Sequence, residues 1–277
     1  MIAITPGKIL QISPRVRRLT AGNAGLMTGP GTNTYLIGTE HVAVVDPGPA
    51  EPAHIDAILQ ACGERLRWIF VTHTHPDHSP AAAILAEATG AQLLGNSLAF
   101  NDGFQDDSFS PDRSFSHDQR FVTDEFSLRV LHTPGHVDNH LCYLLEEEGL
   151  LLTGDHIMQG STVVIVPPHG DMKAYIESLR LLLPYPIKAL LPAHGYVIDN
   201  PEEEIERLIN HRLSREEKVI AALGTESRQS LDDLLPQVYR GIDPSLYKLA
   251  KYSLLAHLLK LEKEQRVAAD QELWRLL

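Results

Sequence analysis

Between residues 72 and 78 the chain reads Thr72-His73-Thr74-His75-Pro76-Asp77-His78, three imidazoles and a carboxylate in one short turn. The apolar run Trp68-Ile69-Phe70-Val71 precedes it, as a buried strand would, and an Ala-rich helical stretch, Pro80–Thr89, follows. Imidazole and carboxylate are the ligands that zinc and its neighbours take. His73 and His75 are two apart, so an extended or tightly turned backbone points both toward one ion. Asp77 and His78 then open the helix and reach a second ion beside it. As purely structural residues they would stand exposed without purpose or be buried at a cost. A chain with this cluster has to bring further ligands to the end of the same strand.

Three later segments have the form needed. Leu131-His132-Thr133-Pro134-Gly135-His136 runs from a strand through a Pro-Gly turn to His136. Leu151-Leu152-Thr153-Gly154-Asp155 presents Asp155 in the same way, and Leu190-Leu191-Pro192-Ala193-His194-Gly195 presents His194. Any one of these taken singly reads as structural. Three such strand ends together with the first cluster read as a ligand set.

Strands are expected at Thr34–Ile37, Val42–Val45, Trp68–Val71, Leu128–His132, Leu141–Leu145, Leu150–Thr153, Val163–Val166 and Ala189–Leu191. Helices are expected at Pro52–Ala61, Pro80–Thr89 and Met172–Leu183. This interleaving predicts a layered α/β protein with mixed sheets. Ser97–Gln119, rich in Phe, Asp and Ser, shows no period; it reads as a surface excursion or as a flap over the site.

A boundary falls near Asp199, dividing the chain into residues 1–200 and 201–277. Asn200-Pro201-Glu202-Glu203 resembles a capping box, and Ile205, Leu208, Ile209, Leu213, Val219, Ile220 and Leu223 follow at helical spacing. Ser230 opens a second helix and Asp243-Pro244 a third, before a short strand candidate at Arg266–Ala269. Three amphipathic helices and a strand suggest a small winged-helix-like domain. The third helix carries Lys248, Lys251 and Lys260 without an acidic residue from Pro244 to Leu261. It reads either as a solvated packing face or as a face for nucleic acid.

Composition bounds the possible partners. The chain has 277 residues, 43% of them hydrophobic, and a formal net charge of −12. Residues 201–277 hold 12 basic and 14 acidic side chains, so nearly all the excess negative charge sits before residue 200. That balance argues against a binder of phosphate backbones. No run of 18 apolar residues predicts a membrane span, and the first residues do not read as a secretory signal, so the expected location is cytoplasmic. Cys62 and Cys142 stand apart from the ligand motifs and read as small, reduced core residues.

The ordered motifs His-x-His-x-Asp-His, Thr-Pro-Gly-His, Thr-Gly-Asp and Pro-Ala-His-Gly resemble those of the metallo-β-lactamase-fold hydrolases. Gly29–Leu36 and Gly160–Val163 extend the likeness to the lactamase-beta-2-like group, which carries a C-terminal winged helix. The resemblance implies a four-layer αββα sandwich and two divalent metal ions, zinc first, with manganese or iron as alternatives. It implies that His73, His75 and His136 hold one ion, that Asp77, His78 and His194 hold the other, and that Asp155 bridges them. A hydroxide shared by the two ions would attack, the ions would polarise the electrophile, and Asp77 would orient the hydroxide and take its proton. Many exported lactamases of this fold place a cysteine on the second metal; neither cysteine here lies in a ligand motif.

His41, His54, His117, His211 and His257 read as surface or packing residues. His132, His140, His156 and His169 lie near ligand motifs and are candidates to orient a ligand or meet substrate. Asp46 ends a strand near the expected site. Three readings remain at this level: a hydrolase of single-stranded RNA or another phosphodiester, a thioester or ester hydrolase of the glyoxalase II kind, and a non-catalytic metal-bound scaffold. β-Lactam hydrolysis is a further, weaker reading, as is the scaffold. In the thioester reading the C-terminal domain shapes the substrate cleft or a homodimer interface.

Overall fold

The structure is a computed structural model that describes residues 4–98, 103–224 and 228–277. Residues 99–102, within the Ser97–Gln119 excursion, lie outside the described residues, as do the first three of the chain. The chain forms two compact units. The first comprises residues up to Thr133, Asn139–Ser161 and Tyr185–Pro201; the second comprises Pro134–Asp138, Thr162–Pro184 and Glu202–Leu277. A helix begins at Pro201, and Pro134–Asp138 and Thr162–Pro184 group with the residues that follow it.

The described residues of the first unit form two sheets, two α-helices and a short 3-10 helix at Gly63–Arg65. One sheet runs in the order β1 (Ile9–Gln11), β2 (Val16–Thr20), β3 (Asn33–Ile37), β4 (Val42–Val45), β5 (Leu66–Phe70), β6 (Gln92–Leu94). Its first three pairings are antiparallel and its last two parallel. Helix α1 (Pro52–Cys62) links β4 to β5, and α2 (Ala81–Thr89) links β5 to β6. The other sheet contains β7 (Arg120–Val122), β8 (Ser127–His132), β9 (Leu141–Leu145), β10 (Leu150–Gly154) and β11 (Ala189–Pro192), ordered β11-β10-β9-β8-β7. Only its β10–β11 pairing is parallel.

Period-two alternation sorts the side chains of the first sheet between two cores. Tyr35, Ile37, Ala43, Val45 and Phe70 point to the second sheet, where they meet Leu128, Val130, Leu141, Tyr143, Leu152 and Leu191. Leu36, Val42, Val44, Ile69 and Val71 point the other way, against Ile55, Ile58 and Cys62 of α1 and Ala81, Ala82 and Leu85 of α2. Strands buried on both faces read as continuous apolar runs, which is why these strands were visible in the sequence. The Tyr143 hydroxyl donates to Val71 O at 2.7 Å, and Leu141 N donates to Thr72 O at 2.8 Å. The two sheets are thereby joined at the end of β5, where the histidine cluster begins.

The second unit contains α3 (Met172–Leu182), α4 (Pro201–Leu223), α5 (Leu231–Val238), α6 (Tyr247–Lys263) and a hairpin of β12 (Val267–Asp270) and β13 (Leu273–Leu276). Ser230 caps α5 in a capping box with Asp233. Val219, Leu223, Leu234, Leu235, Val238, Leu254, Leu258, Leu261, Val267 and Trp274 form its core. Three helices closed by a two-stranded wing match the expected winged-helix-like arrangement. The strand expected at Val163–Val166 is absent: that segment is irregular. Its carbonyls serve side chains instead, Val163 O accepting from Arg212 and Val164 O pairing with His136, and Pro167-Pro168 supply no ladder donors beyond it. Among the described residues no helix is long and apolar enough to cross a membrane.

Candidate metal centre

Each expected ligand follows the C-terminal end of a strand, so the strand ends set the site. After β5 the chain turns at Pro76, with His78 N bonding His75 O at 3.0 Å, and enters α2. Gly48 N to His78 O (2.9 Å) and Asp106 N to Thr74 O (2.6 Å) hold the turn from either side. After β11, Asn33 N donates to Ala193 O at 2.7 Å, and Asn33 Nδ2 donates to Pro192 O and Gly195 O. These bonds place His194 opposite the β5 turn.

Two groups of donor atoms result. His73 Nε2 and His75 Nδ1 converge to 2.9 Å. Beside them, His78 Nε2 lies 3.5 Å from Asp77 Oδ2 and 3.6 Å from Asp155 Oδ1. His194 Nε2 lies 3.3 Å from Asp77 Oδ2 and 3.2 Å from Asp155 Oδ1. Ligands arranged tetrahedrally at 2.0–2.2 Å from an ion stand about 3.3–3.6 Å apart, so these four atoms have the spacing that a divalent cation requires. His73, His78 and Asp155 also converge within 4.8 Å, which places Asp155 toward both groups. His78 Nε2 and His194 Nε2 are buried and have no hydrogen-bond partner among the described residues. A buried, unbonded imidazole nitrogen aimed at two carboxylates is a costly arrangement for a packing residue and the ordinary one for a ligand.

The remote nitrogens are held. His78 Nδ1 pairs with Asp46 Oδ2 at 3.0 Å, and His194 Nδ1 with Gly31 O at 3.3 Å. Such partners fix a ligating imidazole's tautomer and aim. Asp46 adopts φ 49°, a left-handed conformation uncommon outside glycine, and also accepts from Thr72 N and Thr72 Oγ1. Asp46 ends a strand near the site, but a lone Asp-Pro-Gly after a strand carries no mark of the residue it orients.

Electrostatics agree with the donor chemistry. Burial works against ionisation of Asp77, yet the His78 and His194 imidazoles hold its carboxyl far below the usual range. Asp155 behaves alike, burial opposed and outweighed by His194 and His78. Burial alone would lower His194, but Asp155 and Asp77 push it up to about 9. The charged imidazoles of His78 and His194 balance the two carboxylates, and a divalent cation would take over that role by displacing the imidazole protons.

His136 belongs to the second unit. Its Nδ1 bonds Val164 O at 2.8 Å, a contact of the kind that fixes an imidazole's tautomer and aim. The preceding Gly135 has φ 137°, and a Cβ there would stand 2.3 Å from Tyr175 Cα, so only glycine makes this turn. In the same unit buried His169 pairs with Asp138 at 2.9 Å, a contact that sequence reading did not anticipate.

His54 is a packing residue: it is buried, bonds Thr34 Oγ1 at 2.9 Å, and is lowered to about 4, mainly by burial. The nucleic-acid reading of the third helix loses most of its cations. Lys260 is 8% exposed and pairs with Glu216 at 2.5 Å, and Lys251 pairs with Asp232 at 2.6 Å. Lys248 remains on the surface.

The strand-end ligand set and the layered sheets define a metal-dependent hydrolase, and the comparisons with known proteins agree. The family profile described as "Metallo-beta-lactamase superfamily" matches residues 27–194, and the chain belongs to that superfamily. The "Beta-lactamase associated winged helix domain" profile matches residues 230–274. A "Beta-lactamase-like protein 2 homolog" of Drosophila melanogaster is 31% identical, covering 99% of this chain and 97% of the relative. An "Atrochrysone carboxyl ACP thioesterase" of Aspergillus chevalieri is 32% identical over 95% of this chain and 85% of its own length. Among solved structures, a beta-lactamase domain protein from Burkholderia ambifaria superposes with a TM-score of 0.82 at 21% identity, covering 100% of this chain and 96% of the other, a likeness of fold.

Proposed function

We propose that this chain is a dinuclear metal-dependent hydrolase of acyl substrates, thioesters or esters. The observation that carries the metal reading is the set of four donor atoms spaced 3.2–3.6 Å apart, two of them buried imidazole nitrogens without a hydrogen-bond partner among the described residues. His73, His75 and His136 would hold one ion, Asp77, His78 and His194 would hold the other, and Asp155 would serve both sets. Zinc suits these ligands best, and manganese or iron fit the same donors.

When bound, the ions acidify water and polarise the electrophile. The chain's own residues do the rest. Asp77, with 26% of its side chain exposed against 12% for Asp155, is the more accessible of the two carboxylates, and it would orient the attacking water and accept its proton. Asp46 and Gly31 keep His78 and His194 aimed. The acyl class is supported by the relative named as a thioesterase and by the strongly acidic charge before residue 200, which does not hinder carbonyl chemistry. Phosphodiester cleavage, including that of single-stranded RNA, is the second reading; the winged-helix match favours it, while the pairing of Lys251 and Lys260 speaks against it.

The test is a parallel assay of purified protein of measured metal content. It uses S-lactoylglutathione, nitrocefin, single-stranded RNA and bis-p-nitrophenyl phosphate, with His73→Ala as the control. Thioester hydrolysis lost in His73→Ala supports the proposal. Turnover of RNA alone would replace the acyl reading with the second one.

A further inference from the structure

The turn that carries Asp155 is held by a closed circuit of buried side chains. Asp155 N donates to His140 Nε2 at 3.2 Å. On its other side His140 Nδ1 meets Thr133 Oγ1 at 2.9 Å. Thr133 Oγ1 stands 3.3 Å from Cys142 Sγ, and Cys142 Sγ donates to Thr153 O at 3.6 Å. The path starts on the backbone of Asp155 and ends on that of Thr153, two residues earlier on the same strand end. His140, Thr133, Cys142 and Thr153 are all buried.

The bonds have one consistent direction. A ring nitrogen that accepts from a backbone N–H carries no proton, so His140 is the Nδ1–H tautomer and donates to Thr133. Thr133 then donates its hydroxyl proton to Cys142, and Cys142 donates to the Thr153 carbonyl. The last step requires a protonated thiol, and burial pushes Cys142 up to about 12. Gly154 fits inside this circuit because it has no side chain: at φ 49° its Cβ would stand 2.6 Å from Thr72 Oγ1 and 2.7 Å from His140 Nε2. Ala193 N donates to Gly154 O at 3.1 Å, and His156 N donates to Thr153 O at 2.9 Å. His140 therefore supplies the acceptor that completes the backbone pairing of the turn.

We infer that His140, in its Nδ1–H tautomer and backed by Thr133 and Cys142, is the positioning residue that aims the Asp155 carboxylate at both metal positions. His140 acts through the backbone of Asp155, and its ring packs beside His73 with centroids 5.1 Å apart. The inference rests on the assignment of Asp155 as the shared ligand.

Two substitutions separate the acceptor from mere bulk. In His140→Gln the amide oxygen occupies the place of Nε2 and can still accept from Asp155 N. In His140→Asn the amide reaches only the place of Nδ1, toward Thr133. Zinc titration of the full chain, with far-UV circular dichroism as the folding control, is expected to show weakening by about 10- to 100-fold in His140→Asn and recovery of most of that loss in His140→Gln. Equal affinity in His140→Asn and wild type overturns the inference, as does a His140→Gln chain as weak as His140→Asn. Long-range ¹H–¹⁵N spectra of the wild-type chain read the tautomer directly, whether or not the variants fold. A bare Nε2 and a protonated Nδ1 on His140 support the circuit, and the opposite tautomer overturns it. A wild-type chain that binds no metal removes the underlying metal reading and this inference together, an outcome distinct from normal zinc binding that is indifferent to residue 140.

Discussion

Asp46 Oδ2 stands 3.0 Å from His78 Nδ1, and the same carboxylate accepts from Thr72 N at 2.7 Å and Thr72 Oγ1 at 2.8 Å. One side chain at the end of β4 thus fixes both the start of the histidine turn and the aim of its last imidazole. It does so from a left-handed backbone that costs on the order of 1 kcal/mol. Asp46→Ala would leave Thr72 N and His78 Nδ1 without their partner. Metal affinity is expected to fall about 10- to 100-fold, with a loss of stability of roughly 1–3 kcal/mol. Metal titration and urea denaturation measure the two effects separately.

Asp77 differs from Asp46 in being reachable from solvent while bordering His78 and His194. Asp77→Ala is expected to keep the fold, with a melting temperature close to wild type, and to lose at least about 100-fold in kcat. Steady-state kinetics beside a thermal melt decide this. Full activity in the folded variant would remove Asp77 from the proton-transfer role.

The second unit carries a pH dependence of its own. His257 is buried, and burial first, then Arg212, Lys260 and Arg215, hold its imidazole neutral and well below 6.5. The unfolded chain takes up that proton near 6.5, so below this pH protons favour unfolding. The contribution is fully present above pH 6.5 and is lost as pH falls, by at most about 1.4 kcal/mol per pH unit for one site. Replacement by an apolar residue, His257→Leu, is expected to flatten the fall in stability between pH 6.5 and 5. Urea midpoints of both proteins at the two pH values test it, and equal slopes would count against the assignment.

Much of this architecture could be read from residue patterns, for identifiable reasons. β3, β4, β5, β9 and β10 are nearly all buried, so their apolar runs stand out. β1, β6 and β7 have three residues each, too few to show a period. β2 hides behind Arg17 and Arg18, although Arg18 is buried and bonds Gly195 O. The apolar Val163–Val166 segment reads as a strand from composition, yet its carbonyls pair with His136 and Arg212 instead of a neighbouring strand. The ligand types could be named because clustered histidines are rare without purpose. Asp46 and His140 stand out as candidates, but the groups they bond, Thr72 and His78 for one and Asp155 for the other, lie 15 to 32 residues away, and no local pattern marks such pairings.

Metal content of the purified chain tests the central claim most directly. Elemental analysis after dialysis is expected to find two divalent ions per chain in wild type and no more than one in His194→Ala. Trace metal alone in the wild-type protein, after dialysis against excess zinc, would contradict it.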